Sequence, residues 1–340
     1  MTARPVRTIL AVVVSRIGDT LLSTPALRAV KETWPDSRLV VAVHPGRACL
    51  LENLPWIDEL MPFRPWRRWA ALLPWPAKYD LAFVFQPERG QLDFARRVAR
   101  RVFAEDFSGA PASPQVTLLP LPAAPMVAVE QRLRLVRAAG ADSTDQRLAY
   151  VVSPGERRAA EERLATCGLA GKGPKIALQL KSFPTKAHRD WPLESFAALV
   201  ARIVERFPGA CFVITGDANS AAAAAHLDQR FPGRVSSLAG QCTLRETAAV
   251  LAAMDLYVGV DTGPTHLAGA LGIPMVALYH AAYPGRYLAP RQNPRCRVIE
   301  HPRSGAADAR QASMDEISVE PVWAAAQSLL ADGAFAREAA

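Results

Sequence analysis

Residues able to bind an anion or move a proton are concentrated in one six-residue stretch: Asp261, Thr262, Gly263, Thr265 and His266, with one proline among them. Because proline is tolerated at the first helical position, a helix begins here. Free N–H groups around Thr265 and His266, beside the hydroxyls of Thr262 and Thr265, predict an anion site, and phosphate is the expected anion. The alternative is a helix start that binds nothing. An acid, two hydroxyls and an imidazole at the end of a strand favour a binding site.

The residues on either side of this stretch predict the elements that position it. The apolar β-branched run from Tyr257 predicts a strand, and the alanine-rich segment after Pro264 predicts a short helix. Gly272 and Pro274 end that helix, and a second strand runs to Tyr279. The polar residues therefore follow the carboxyl end of a strand in a βαβ unit.

A second acidic residue follows the first predicted strand. The continuous apolar run Thr8–Val14 is typical of a central parallel strand buried on both faces. It ends in the loop 15–19, after which a helix with Pro25 near a restart runs to Pro35. Asp19 follows a glycine and begins this helix, so the helix dipole favours its ionised form.

Strands alternate with helices along the rest of the chain, which indicates repeated βαβ units. Further strands are predicted at 38–43, 81–85, 148–152, 176–180 and 211–215, and helices at 127–140, 156–167, 196–207, 221–231 and 244–253. The stretch 168–175 lacks apolar anchors and is the predicted linker. We predict an α/β protein of two Rossmann-like domains with parallel sheets facing across a cleft. They span 1–168 and 169–318, and residues 319–340 form a helix packing back on the first domain, then a loose tail.

Composition excludes several classes of protein. The chain has 340 residues, half of them hydrophobic, and a net charge of +8. No apolar run is long enough to span a membrane and no signal peptide is visible, so we expect a cytoplasmic protein. The five cysteines have no paired spacing, which indicates neither a zinc site nor a disulfide framework. Dispersed arginines and the absence of a binding module argue against nucleic acid.

Two basic segments lie in the first half. The segment 61–76 combines three tryptophans, three arginines and four prolines. It predicts either a loop folded on its own domain or a contact with an anionic membrane surface. Arg96, Arg97, Arg100 and Arg101 have helical spacing, which is typical of a solvated helix face or of a surface that meets acceptor phosphates.

Three blocks of the sequence resemble glycosyltransferase family 9, the ADP-heptose:lipopolysaccharide heptosyltransferases. They are ILAVVVSRIGDTLLSTPALRAVKETWPDS near the start, HRDWPLESFAALV in the middle, and the 257–279 segment, similar to the family's V-G-V-D-T-G-x-x-H-L-x-x-A-L run. The resemblance implies the GT-B fold. It also implies an inverting transfer of a heptose from an ADP-sugar to a lipopolysaccharide core. The partners would be these two substrates and the cytoplasmic face of the inner membrane, where the enzyme would be peripheral.

The resemblance also implies roles for individual residues. Asp19 matches the family's catalytic base, and Arg189 falls where the family usually has a lysine that neutralises the donor phosphates. The donor-binding candidates are Lys186, Gly216, Asp217, Asp261, Thr262, Gly263, Thr265 and His266. The acceptor-binding candidates are Gly18, Arg64, Arg67 and Arg96. An inverting transfer needs a carboxylate to accept the acceptor's proton while the leaving diphosphate is stabilised opposite.

Two departures from the family pattern bear on the donor. Arginine replaces lysine at 189, with Lys186 close enough to share its role. After Tyr279 the family usually continues Gly-x-Thr-x-Pro, whereas this chain has HAAYPGR at 280–286. The identity of the sugar is therefore open. No D-x-D pair of the metal-binding kind is present, so we expect no metal and no other cofactor.

Two other classes of protein compete with this interpretation. A dinucleotide-dependent oxidoreductase would need a G-x-G-x-x-G turn after the first strand, where the chain has only Ser15 to Asp19. A non-catalytic nucleotide-binding or scaffold protein would keep the 261–266 loop and have no use for Asp19. A family member that uses another nucleotide-sugar also remains an alternative.

Overall fold

The computed structural model describes residues 5–64, 77–108, 110, 113–169 and 173–338, with side chains up to residue 332. Their contacts divide the chain into two compact units, Met1–Val151 and Val152–Ala340. Each unit is built on one parallel six-stranded sheet.

The first unit has the strand order β3-β2-β1-β4-β5-β6. Its strands are β1 (Thr8–Val13), β2 (Arg38–Val43), β3 (Glu59–Pro62), β4 (Tyr79–Val84), β5 (Ala99–Glu105) and β6 (Val116–Leu119). Its described α-helices are α1 (Ile17–Leu22), α2 (Thr24–Thr33), α3 (Arg89–Val98) and α4 (Ala128–Arg137). Ile9 to Val13 are fully buried, as a central strand covered by helices on both faces requires.

The second unit has the strand order β12-β11-β10-β7-β8-β9. Its strands are β7 (Lys175–Gln179), β8 (Cys211–Thr215), β9 (Val235–Ser237), β10 (Leu256–Val260), β11 (Met275–Tyr279) and β12 (Cys296–Glu300). Its described α-helices are α5 (Pro154–Thr166), α6 (Leu193–Arg206), α7 (Ala221–Arg230), α8 (Leu244–Ala252), α9 (Gly263–Leu271), α10 (Gly285–Leu288) and α11 (Val319–Glu338).

Each sheet reverses its strand order once. In the first unit the chain moves outward from β1 to β3 and returns beside β1 as β4. In the second unit it moves outward from β7 to β9 and returns beside β7 as β10. The loops leaving the carboxyl ends of the two central strands diverge at such a reversal and leave a crevice where ligands bind in open α/β sheets.

Two helices lie in a different unit from the one predicted. Helix α5 packs against α8 in the second unit, where Glu156 Oε2 accepts a bond from Arg245 Nη2 at 2.6 Å, so the boundary precedes α5 instead of following it at 168. Helix α11 packs against α6, β10 and β11 of the second unit. It buries Val322 and Ala326 in that unit's core, and Trp191 Nε1 donates to Ile317 O at 2.8 Å just before it.

Several strand predictions were incomplete. Residues 148–152 form no strand, and Ala149 N instead donates to the Thr24 hydroxyl at 3.0 Å. The strands β3, β5, β6, β9 and β12 were not predicted. β3, β6, β9 and β12 are the outer strands of the two sheets, and their apolar runs are short or interrupted by polar residues. β5 is an interior strand whose apolar run is preceded by Arg100 and Arg101. Most of the 61–76 segment lies outside the described residues, and Met61 and Pro62 end β3.

Candidate functional site

Asp19 lies at the strand reversal of the first sheet. It is the third residue of α1, which begins shortly after β1. Its Oδ1 accepts hydrogen bonds from Gln86 Nε2 and from Arg132 Nη2, both at 2.9 Å. Gln86 follows β4, the strand beside β1, and has a left-handed φ of 50°. The side chain of Asp19 is 28% exposed, and its Oδ2 has no hydrogen-bond partner among the described residues. One oxygen is therefore fixed and the other is open.

Arg132 is a charged side chain in the interior of the first unit. Only 7% of it is exposed, and Glu105 at the end of β5 is also buried. Burial lowers the pKa of the Arg132 guanidinium, while the charges of Asp19 and Glu105 oppose that shift. The Nε of Arg132 and the Oε1 of Glu105 are buried without a hydrogen-bond partner among the described residues. Arg132 therefore depends on these carboxylates for compensation of its charge.

Arg132 and Gln86 were not predicted as neighbours of Asp19. A signal for Arg132 existed, because it shares the buried face of α4 with Val129, Leu133 and Val136. A charged residue on an apolar helix face usually has a buried partner. Gln86 carried no comparable signal, since a glutamine after a strand is ordinary.

The four acceptor-binding candidates do not all meet at Asp19. Gly18 precedes it in α1. Arg64 is exposed just after β3, so it too lies at the carboxyl ends of the strands. Arg67 lies outside the described residues. Arg96 lies near the end of α3. There Val98 O accepts a hydrogen bond from Lys78 N, just before β4 begins, so Arg96 lies near the amino ends of the strands and away from Asp19. The predicted helical arginine cluster is also divided, with two members in α3 and two in β5.

In the second unit, Asp261 is the centre of a charged group after β10. Its side chain is 6% exposed, and its Oδ2 accepts a bond from Arg189 Nη1 at 2.8 Å. His266 Nε2 lies 3.7 Å from the other carboxylate oxygen, which is too long for a hydrogen bond. The Nδ1 of His266 and the Nε of Arg189 are buried without partners among the described residues. Polar atoms left in this condition are expected where a ligand or ordered water completes the site.

The start of α9 differs from the prediction of free amides and hydroxyls. Thr265 N and His266 N both donate to Thr262 O, at 3.2 and 3.4 Å. The Thr265 hydroxyl is fully buried and bonds to Val260 O at 2.5 Å and to the Tyr257 hydroxyl at 2.9 Å. Thr265 therefore ties the helix to the strand and faces away from solvent. Gly263 N, at the first helical position, has no partner among the described residues.

The remaining donor-binding candidates follow the neighbouring strands of the same sheet. Lys186 and Arg189 lie in a short 3-10 helix, Pro184–Arg189, after β7. The ammonium of Lys186 has no ion-pair partner among the described residues. Gly216 directly follows β8 with a φ of 118°, and a Cβ there would lie 2.8 Å from Gln179 Nε2. The Asp217 carboxylate caps the next turn by accepting from Asn219 N at 3.1 Å, so it is already engaged within the protein.

An aromatic ring packs against the guanidinium of Arg189. The central carbon of Arg189 lies 3.7 Å from the ring centroid of Tyr283, in the loop after β11. The rings of His188 and His280 each lie 6.2 Å from that of Tyr283 and 5.2 Å from each other. The two departures from the family motif, Arg189 and the 280–286 loop, are thus in direct contact.

Two histidines after adjacent strands make the same pair of bonds. His280 follows β11, accepts from Ala282 N at 3.1 Å and places Nε2 2.9 Å from Ala312 O. His301 follows β12, accepts from Arg303 N at 3.0 Å and places Nε2 2.9 Å from Ser313 O. Each ring is therefore a neutral tautomer protonated at Nε2. Burial is the main cause that lowers the pKa of His280.

Within the described part of the chain, no three His, Cys, Asp or Glu residues are arranged to hold a metal ion. The residues described also include no helix with the length and hydropathy needed to cross a membrane.

The comparisons with known proteins agree with the predicted class of protein. Residues 118–316 match the family model described as glycosyltransferase family 9 (heptosyltransferase). The chain is 22% identical to lipopolysaccharide heptosyltransferase 3 of Escherichia coli over 282 residues, 78% of this chain and 81% of that protein. A structure of a glycosyltransferase family 9 protein from Veillonella parvula covers 98% of this chain and 100% of its own, with 21% identity and a TM-score of 0.82. The E. coli heptosyltransferase WaaC with ADP covers 95% and 99%, with 20% identity and a TM-score of 0.70.

Two parallel six-stranded α/β units, and the likeness to these solved structures, confirm the predicted fold class, GT-B. The chain belongs to glycosyltransferase family 9, the heptosyltransferase family.

Proposed function

We propose that this enzyme transfers a heptose, or a related sugar, from an ADP-sugar to a lipopolysaccharide-core acceptor, with inversion at the anomeric carbon and without a metal ion. The observation that carries the proposal is the half-anchored carboxylate of Asp19. A general base needs an oriented acceptor atom that substrate can reach, and Oδ2 of Asp19 fits that description.

The chemical step uses Asp19 as the base. The acceptor hydroxyl loses its proton to Oδ2 as its oxygen bonds to the anomeric carbon from the face opposite the leaving group. The bond from that carbon to the diphosphate breaks, and its electron pair leaves with ADP. Arg132 and Gln86 hold Oδ1 throughout, so the carboxylate does not turn away from the acceptor.

The second unit supplies the groups that receive the departing diphosphate. Arg189 and Lys186 are two cations after β7, and Gly263 offers an amide at the start of α9. The charge of Lys186, a directed N–H group of Arg189 and the oriented amide of Gly263 together stabilise a diphosphate as a metal ion would. Asp261 neutralises and orients Arg189, so it acts on the phosphates indirectly. The similar E. coli heptosyltransferase WaaC was solved with ADP, which supports this choice of nucleotide.

The basic residues of the first unit and the named relative support the proposed acceptor and location. Lipopolysaccharide heptosyltransferase 3 acts, by its name, on lipopolysaccharide. Gly18 beside the base and the basic residues Arg64 and Arg67 are our candidates for meeting an anionic core. Such an acceptor is attached to lipid, so we place the enzyme in the cytoplasm, peripheral at the inner membrane.

The test is the Asp19→Asn variant, assayed for sugar transfer from ADP-heptose and, separately, for ADP binding by calorimetry. The amide retains an acceptor oxygen for Gln86 and Arg132 but cannot take the proton. We expect transfer to fall by about 10²–10⁴-fold, with the ADP dissociation constant unchanged within about twofold. The control is Asp36→Asn, an exposed residue between α2 and β2. Unchanged transfer by Asp19→Asn would remove the proposed base.

Two further measurements test the donor and the metal. Thermal-shift screening against ADP, UDP and GDP should show the largest stabilisation with ADP, because a selective ligand stabilises in proportion to its occupancy. Sugar transfer should be unchanged in EDTA. Loss of transfer in EDTA, with recovery when a divalent cation is added, would contradict metal independence.

A further inference from the structure

Arg189 is held from two directions. Asp261 accepts a bond from its Nη1 at 2.8 Å, in the plane of the guanidinium, and the ring of Tyr283 lies 3.7 Å from its central carbon, on its face. The side chain of Arg189 is 15% exposed. These two contacts fix both the position of the charge and the plane in which its remaining N–H groups point.

A guanidinium needs such a plane where an ammonium does not. An ammonium is a compact charge that binds phosphate from any direction, whereas arginine binds through a planar fork whose orientation decides which oxygens it reaches. The described residues give Nη2 of Arg189 no partner. With the face against Tyr283, Nη1 on Asp261 and Nε buried, Nη2 is the group that an anion can reach.

Tyr283 is itself fixed by its neighbours. The rings of His188 and His280 each lie 6.2 Å from its ring and 5.2 Å from each other, so they pack on one side of it. His280 is held by bonds to Ala282 N and Ala312 O. The ring of Tyr283 therefore packs beside a histidine that is bonded both to the loop after β11 and to the segment after β12. Because the guanidinium of Arg189 packs on this ring, the ring restrains its orientation.

The local charge shows why the orientation matters. Asp261 cancels the charge of Arg189, so the pair attracts an anion only through a directed N–H group. Lys186, three residues earlier, has no ion-pair partner among the described residues and supplies the net positive charge.

We propose that Tyr283 is a positioning residue for Arg189, holding the guanidinium so that Nη2 bonds to the diphosphate of the nucleotide-sugar. This inference rests on the proposed function, since it assigns the leaving diphosphate to the same site. Arg189 and Tyr283 then act together: Arg189 binds the diphosphate, and Tyr283 contributes only by orienting Arg189.

The experiment is a double-mutant cycle read by calorimetric binding of ADP. Tyr283→Leu should weaken ADP binding by about 3- to 30-fold, the range expected for loss of a partly buried cation–π contact. Tyr283→Phe keeps the ring face and should stay within about twofold of the parent protein. In an Arg189→Lys background, Tyr283→Leu should add less than about twofold, because an ammonium does not need the plane.

The controls distinguish loss of the positioning role from misfolding of the variant and from failure of the proposed function. Tyr283 is half-buried in a surface loop, and Tyr283→Thr provides a second ring-free variant should Tyr283→Leu fail to fold. If Tyr283→Leu weakens ADP binding equally in the parent protein and in the Arg189→Lys background, the positioning role is overturned. Parent-like affinity of both ring-free variants would overturn it as well. Failure of the parent protein to bind ADP at all would instead contradict the proposed function.

Discussion

Replacing Arg132 tests whether the first unit holds its base through a buried charge. In Arg132→Met the apolar stem is kept and the guanidinium is lost, so two carboxylates lose their cation. Asp19 is 28% exposed and regains water, but Glu105 is 9% exposed and does not. Breaking a buried ion pair costs about 3–5 kcal/mol. We expect Arg132→Met to lower the free energy of unfolding by about 3 kcal/mol, at the low end of this range, because its partner Asp19 regains contact with water.

The double variant Arg132→Met/Glu105→Gln separates stability from catalysis. Glu105→Gln removes the buried charge and should recover most of the lost free energy of unfolding, measured by urea denaturation at pH 7. Transfer should remain about 10- to 100-fold below the parent, because Gln86 alone then orients Asp19. The matched control is Arg137→Met, on the same helix, whose pairs with Glu130 and Asp142 are at the surface and whose loss should cost less than about 1 kcal/mol.

Two results would refute this reasoning. If adding Glu105→Gln restores no stability, the cost does not come from an uncompensated carboxylate at that position. If Arg132→Met transfers sugar at the parental rate, the hydrogen bond between Arg132 and Asp19 has no part in orienting the base.

Three further changes have expected outcomes. Thr265→Val removes the hydrogen bond between Thr265 and the buried Tyr257 hydroxyl and should lower the free energy of unfolding by about 1–3 kcal/mol in urea denaturation; a cost near zero would contradict the inward-facing role. Gly259→Ala places a Cβ 2.5 Å from that hydroxyl and 2.7 Å from Gln179 Cβ, so thermal unfolding should show a loss of about 1–3 kcal/mol. Arg245 lowers the pKa of Glu156 from 4.5 to about 2. The stability this pair provides is present above pH 4.5 and lost as pH falls toward 2; it should be about 1–2 kcal/mol after allowance for partial exposure, and Glu156→Gln should abolish this pH dependence in acid titration.

The central strands were predictable because burial on both faces leaves an unambiguous apolar run. Residues 38–43 and 211–215 were predicted with the bounds that the structure has. The edge strand β12 was not, since one half-covered face tolerates its two charged residues. The positions of Asp19 and Asp261 after their strands followed from the same runs.

Other features of the site depend on contacts between distant residues. The bond from Arg132 to Asp19 joins residues 113 positions apart, and the bond from Arg189 to Asp261 joins residues 72 apart. The hydroxyl of Thr265 shows the limit of local reasoning, because a threonine at a helix start faces either a ligand or the strand behind it. The buried hydroxyl of Tyr257, which bonds to it, decides between the two.

The paired histidines His280 and His301 join the loops after β11 and β12 to the segment before α11. The Nδ1 of His280 accepts a hydrogen bond from Ala282 N, and that nitrogen cannot accept once it is protonated. Because the pKa of His280 is lowered, its contribution to stability is present above the ordinary pKa of about 6.5 and is lost as pH falls below it. The Nε2 atoms of His280 and His301 bond to the carbonyl groups of Ala312 and Ser313. These two residues precede α11, the helix that packs against β10 and β11. Mild acidification should therefore loosen the support beneath the loop that carries Tyr283.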